Sequence, residues 1–110
     1  MPSPFIPDGY TCETVIPASA QWDEIHLVYR PMATSDAMAY TAKTKGLDDA
    51  GWTGFICDLL SEKIVSWSIL GPDGVPVMVT PANVRRLVNP LVLRLWNIVS
   101  GVDVGDSTKN

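Results

Sequence analysis

The chain has 110 residues, a formal net charge of −4 and a charged fraction of 18%, which is below the roughly 25% of an average soluble domain. A chain of this size folds around one core, so we expect a single domain over residues 1–101 and a flexible tail over residues 102–110. Apart from Arg85-Arg86 and Arg94 the basic residues are scattered, and nucleic-acid binding, which needs a basic stripe, is not expected. The sparse charge favours a surface that is partly buried against a protein partner.

The first nine residues contain three prolines and neither a basic start nor an apolar run. They predict an extended arm rather than a signal peptide. The sequence also has no run of about 18 apolar residues that could span a bilayer. We therefore expect a cytoplasmic protein without membrane contact. The two cysteines, Cys12 and Cys57, lie outside any Cys-x-x-Cys pattern, and two reduced thiols are expected, with a disulfide left open.

Alternation of apolar and polar residues predicts two strands, at residues 10–17 and 24–30, that can pair as an antiparallel hairpin. Pro31 ends the second strand. Its one histidine, His26, falls on the polar side of that strand, where a surface role is expected.

Two helices are predicted next. Thr34 or Ser35 can cap a short helix over residues 36–45, because a side-chain oxygen there accepts a backbone N–H of the first turn. Asp48 or Asp49 then begins a longer helix. Its apolar residues recur at spacings of three and four and form one broad face: Trp52, Phe55, Ile56, Leu59 and Leu60.

The alternating pattern returns from Ile64 and predicts a third strand. Its buried row should consist of Val65, Trp67 and Ile69. A turn at residues 71–74 leads into a returning strand over residues 75–79. Because Pro76 has no N–H to donate, this strand should lie at a sheet edge or pair only in part.

The chain is predicted to end in two helices that begin at prolines, residues 81–88 and 90–100, the first capped by Thr80 and the second by Asn89. Gly101 should close the second. The apolar rows of this last helix are wider than one packing face requires, and an arginine lies beside a tryptophan, as in many interface hot spots. We predict a partner-binding surface there, with a core role as the alternative, formed by Leu91, Val92, Arg94, Leu95, Trp96 and Val99.

These elements together predict an α+β fold in which small antiparallel strands or hairpins pack with about four short helices, the last two forming a C-terminal pair. The residues suggest no chemistry. A catalytic triad or a zinc site would have to be assembled from distant residues around His26, and the paired carboxylates fit solvated turns and helix faces. We expect no catalytic residue, no metal ligand and no cofactor, and hence no enzyme.

The order of landmarks in the second half is more specific than any single residue. A strand containing Trp67 leads through the Asp73-Gly74 turn and the Val75-Pro76-Val77 stretch into the helix that Thr80 caps. This order resembles that of small proteins from tailed-phage and prophage morphogenesis clusters. The likeness covers about two-thirds of the chain, and its landmarks lie at residues 5–10, 29–31, 65–77, 79–87 and 91–101.

Such proteins are regarded as tail assembly chaperones, which coat the long helical tape measure protein until tube subunits polymerise around it. The resemblance implies a non-enzymatic protein of the bacterial host cytoplasm that binds the tape measure protein or another tail protein by helix-in-groove association. The alternatives are a structural tail or head–tail component that forms homo-oligomers, a prophage-encoded interaction protein of unknown function, and a small enzyme or regulatory domain of unknown chemistry.

Overall fold

A computed structural model describes residues 5–7 and 9–101 of the chain. The predicted α+β fold is confirmed, with a three-stranded antiparallel sheet and four helices in this part of the chain. No helix there is long and apolar enough to cross a membrane. The predicted tail, residues 102–110, and most of the predicted arm lie outside the described residues. The elements are β1 (Cys12–Ile16), β2 (Ile25–Tyr29), α1 (Thr34–Thr44), α2 (Asp49–Lys63), β3 (Ile64–Trp67), α3 (Pro81–Val84) and α4 (Asn89–Ser100).

The first two strands form the predicted hairpin. They pair antiparallel, with Cys12 opposite Tyr29 and Ile16 opposite Ile25. Successive side chains of a strand point to opposite faces, so every second residue can reach the core. Ile16, Ile25, Leu27 and Tyr29 are accordingly buried, and this alternation fixes the register of the hairpin.

The third strand departs from the predicted alternation. β3 pairs antiparallel with β2, and the register shifts between Val28 and Tyr29. Ile64 and Trp67 are buried, whereas Val65 is 48% exposed. The expectation that Val65 shares the buried face of Trp67 is therefore wrong. A bulge inserts one extra residue into a strand and resets which side chains face the core.

The predicted returning strand is reduced to an isolated bridge between Leu70 and Pro76. Two backbone bonds flank it, from the Val77 N–H to the Ile69 carbonyl at 3.0 Å and from the Gly71 N–H to the Val75 carbonyl at 2.8 Å. Proline cannot continue a hydrogen-bonded ladder, which explains the short pairing. The segment is also held by a side chain, because the Trp67 indole N–H donates to the Val77 carbonyl at 2.7 Å.

The starts of α1 and α2 differ in how well the sequence predicts them. The N-cap of α1 is Ala33, not either of the two hydroxyl residues that follow it. The Asp36 carboxylate instead accepts the Ala33 N–H at 2.8 Å, which satisfies one free donor at the helix start. The predicted start of α2 is confirmed, since the Asp48 side chain accepts the Gly51 N–H at 2.8 Å.

The first helix of the C-terminal pair is shorter than predicted. Thr80 accepts the Asn83 N–H at 3.1 Å as expected, but α3 has only four residues. The N-cap of α4 is Val88, without a side-chain bond, so the predicted cap at Asn89 is wrong. Because proline fits only the first turn of a helix, α3 does not continue through Pro90, and a separate helix, α4, begins there. Gly101 closes α4 in the left-handed conformation, with φ at 88°.

One hydrophobic core joins the sheet to three of the helices. α4 contributes five buried side chains and α2 three, while α3 contributes Val84. Among the described helices, α1 alone contributes none. Its apolar residues are mainly alanines, together with Met38 and Tyr40, so it offers little area to bury. α1 consequently lies on the core without being part of it.

Candidate functional site

The face of α4 that was predicted to bind a partner is mostly core. Leu91, Val92, Leu95 and Val99 are all buried, at 5% exposure or less. Their side chains belong to the hydrophobic core that also includes residues of the sheet and of α2, so in the folded chain they have no surface to offer a partner. For these four residues the placement on a partner surface is corrected, and the alternative interpretation of α4 as a core element holds.

The other two predicted residues, Arg94 and Trp96, are half-buried. Trp96 faces α1 and α2. The centroid of its ring lies 4.9 Å from the ring centroid of Tyr40 and 6.5 Å from that of Trp52, which it meets edge-on. Phe55 completes the group, with its ring 5.6 Å from that of Tyr40. We call these four rings the aromatic cluster. Rings at these separations attract each other beyond the area they bury. A partner-binding role for Arg94 and Trp96 stays a prediction.

Tyr40 connects α1 to the rest of the aromatic cluster. Besides its two ring contacts, its hydroxyl accepts the Trp52 indole N–H at 2.6 Å. This bond satisfies a polar group that is partly removed from water. Tyr40 thus supplies both the apolar and the polar part of the contact between the middle of α1 and the helices beneath it.

An ion pair holds the start of α1 against the end of α2. Lys63 Nζ at the end of α2 lies 3.1 Å from an Asp36 carboxylate oxygen, with both side chains at least partly buried. The hydrogen bond from the Ala33 N–H lowers the pKa of the Asp36 carboxyl, and the Lys63 ammonium lowers this pKa further, whereas burial acts in the opposite direction. The chain just before α1 is pinned as well, since the Met32 N–H donates to the Val99 carbonyl at 3.1 Å.

An open groove lies between the start of β2, the residues after β3 and the α3–α4 junction. Its volume is about 610 Å³. Ile25 and Leu91 form a buried floor, and the rim includes Leu70, which is 58% exposed. Exposed Leu70 thus lies beside buried apolar side chains and extends the apolar lining of the groove. The apolar side chains that line the open groove are Trp22, Ile25, Ile69, Leu70, Leu87, Val88 and Leu91.

The open groove carries charges of both signs. Asp23, Glu24 and Arg86 line it, and a Glu24 carboxylate oxygen lies 3.5 Å from Nε2 of the exposed His26. Within residues 5–7 and 9–101, neither Asp23 nor Arg86 takes part in an ion pair. The groove can therefore hold an apolar segment and still offer one acidic and one basic group to charges on that segment.

Comparison with known proteins gives no relative. The chain matches no protein-family model, no curated protein and no solved structure. Its function must accordingly be argued from the open groove, from the aromatic cluster and from the resemblance in the order of its landmarks.

The groups that could carry chemistry are dispersed. Within the part of the chain that the structure describes, no three His, Cys, Asp or Glu side chains lie close enough to hold a metal ion. Both cysteines are free thiols, and burial raises the pKa of the Cys57 thiol. The carboxylate of Asp58 lies 3.0 Å from the Arg85 guanidinium on the surface. The absence of catalytic residues and cofactors stays a prediction.

Sequence reasoning missed the open groove for a physical reason. Its lining comes from four segments, at residues 21–25, 68–70, 86–88 and 91, and periodicity reports only on side chains within one element. One local signal was available. The charged pair Arg85-Arg86 is followed directly by Leu87-Val88 and then by a helix start, which places an apolar pair at an irregular, exposed junction.

Proposed function

We propose that this chain is a non-enzymatic assembly chaperone that binds an apolar helix of a phage tail protein, the tape measure protein in particular, and keeps that protein soluble during tail assembly. The observation that carries this proposal is the open groove. The resemblance of the chain to proteins of tail morphogenesis clusters supports the choice of client.

The size of the groove suits one face of a helix. A volume of about 610 Å³ accommodates a few apolar side chains, which an amphipathic helix presents at spacings of three and four residues. The exposed Leu70 and Val88 gain apolar contact when such a helix docks. So small a contact gives modest affinity, because the free energy of the contact must first offset the translational and rotational freedom that both partners lose on binding. Modest affinity suits a chaperone that must release its client.

The charged residues of the groove can orient a client helix. A basic residue of the client can approach Asp23 and Glu24, and an acidic residue can approach Arg86. Such pairs at the rim mainly increase the association rate and suppress wrong partners. The net charge of −4 also keeps a complex with an apolar client in solution.

Co-expression with a phage tape measure protein tests the proposal. We expect the soluble fraction of the client to rise when the chain is present and to fall back with Leu70→Asp, which places a charge in the groove. Met78→Asp is the matched control, because Met78 is 73% exposed after the same turn and does not line the groove. A client that is equally insoluble with and without the chain contradicts the proposal.

A self-associating tail component is the second candidate, and the sheet favours it. Both edge strands carry exposed valines, Val15 on β1 and Val65 on β3. Edge strands offer unpaired backbone groups to another chain. Native mass spectrometry of the chain alone distinguishes the two candidates. Rings or larger assemblies that Val15→Lys dissociates favour the structural component, whereas a monomer with intact client binding favours the chaperone.

A further inference from the structure

α1 is attached to the molecule at few points. It buries no side chain, and its Ala37, Met38, Thr41 and Ala42 face outward. Helices of this length are marginal in water without tertiary packing. α1 therefore depends on the contacts of Tyr40 and Asp36 for its place on the molecule.

The surface beneath α1 does not depend on α1 for its shape. Trp52 and Phe55 belong to α2, and Trp96 belongs to α4. Both helices are anchored in the core by buried residues of their own. If α1 moves away, three aromatic side chains remain on a rigid support and become accessible together.

The ends of α1 permit such a movement. At its C-terminal side, Gly46 has φ at 81°, a conformation that glycine adopts at little cost. At its N-terminal side, the bond between the Met32 N–H and the Val99 carbonyl holds the preceding chain in place. α1 can thus move about Gly46, while the Met32 bond keeps the preceding chain in place beside α4.

We propose that α1 is a displaceable cover and that the surface formed by Trp52, Phe55 and Trp96 is a second helix-binding site. Its partner is an amphipathic helix with an aromatic side chain in the place of Tyr40. The present occupant defines this chemistry, since α1 is itself a helix that docks by one tyrosine, whose hydroxyl also accepts the Trp52 N–H. This inference is independent of the open groove and of the identity of any phage client.

Amide hydrogen exchange of the full chain alone tests the cover. We expect α1 to exchange at least about ten-fold faster than α2 and α4, because it opens without global unfolding. Tyr40→Ala should remove the remaining protection of α1 and leave that of α2 and α4 in place. Equal protection of α1 and α2 in the unaltered chain overturns the proposal.

A peptide copy of α1 tests the site beneath. The probe is a fluorescein-labelled, hydrocarbon-stapled helix with the sequence of residues 34–45, and fluorescence anisotropy measures its binding to the full chain. We expect about ten-fold tighter binding to the Tyr40→Ala chain than to the unaltered chain, in which α1 competes at high effective concentration. The control peptide carries alanine in place of the tyrosine and should bind neither chain.

A second variant keeps the test valid if Tyr40→Ala does not fold. Asp36→Ala removes the contacts with Lys63 and with the Ala33 N–H and leaves the aromatic cluster intact. It should also tighten peptide binding, by a smaller factor. Equal binding of the peptide and its control, or equal binding to the unaltered chain and to Asp36→Ala, overturns the second site. Neither outcome bears on client binding in the open groove.

Discussion

α4 and α1 are helices of nearly equal length, 12 and 11 residues, with opposite roles in the molecule. α4 buries five side chains and helps to form the core, whereas α1 buries none. The difference follows from composition, because leucine, valine and isoleucine supply most of the buried face of α4, while alanine and threonine predominate in α1. A helix that holds the fold together and a helix that can leave it are thus built side by side.

The largest expected effect is in α4. Leu95 is fully buried, and Leu95→Ala should lower the free energy of unfolding by about 3 kcal/mol through lost burial and a cavity. Urea denaturation measures this change. Leu93→Ala is the matched control in the same helix, because Leu93 is 43% exposed and its truncation should cost about 1 kcal/mol or less. Similar losses for both variants contradict the core assignment of α4.

An intermediate effect is expected where α1 meets the aromatic cluster. Tyr40→Phe keeps the ring contacts and removes the hydroxyl that accepts the Trp52 N–H. The expected loss is about 1 kcal/mol, the usual contribution of one hydrogen bond. Thermal unfolding and the emission of the indole rings measure it. A loss as large as that of Leu95→Ala would mean that α1 belongs to the core after all.

A smaller, pH-dependent effect is expected at Asp36. Its pKa lies below the ordinary 3.8 when the chain is folded, first because of the Ala33 N–H and then because of Lys63. A carboxyl of this kind stabilises the folded state above its unfolded pKa, and the contribution disappears as the pH falls through the folded pKa. Asp36→Asn should therefore cost about 0.5 kcal/mol at pH 7. Denaturation at pH 7 and near pH 3 measures the difference, which should shrink at the lower pH; a constant difference is the contrary result.

The smallest effect is expected on the outer face of α1. Met38 is 69% exposed, and Met38→Ala should change the free energy of unfolding by less than about 0.5 kcal/mol. Thermal unfolding is a sufficient measurement. A destabilisation above about 1 kcal/mol would show that this face of α1 is packed against something, and the contrast with α4 would be lost.

Sequence patterns predicted the fold wherever local chemistry decides it. The hairpin, the start of α2 at Asp48 and the end of α4 at Gly101 each depend on residues within one or two turns, and each is confirmed. The patterns were wrong where a distant element decides. Val65 is exposed where the register between β2 and β3 shifts, which no property of its own strand reveals.

The candidate site shows the same division. Periodicity showed that α4 has a broad apolar face but not what covers it, and most of that face is buried in the hydrophobic core of the chain itself. The open groove escaped prediction because four separate segments meet there. Only Trp96 belongs both to the predicted set and to a surface that movement of α1 could expose.

The most direct test of the account is amide hydrogen exchange of the full chain with and without the tape measure protein. Docking of a client helix in the open groove should slow exchange at residues 21–25, 68–70 and 86–88, which line the groove. The outer strand β1 should exchange as before. Unchanged exchange in all three groove segments would contradict binding in the groove, and new protection along the edge strand β1 alone would place the client at the sheet instead.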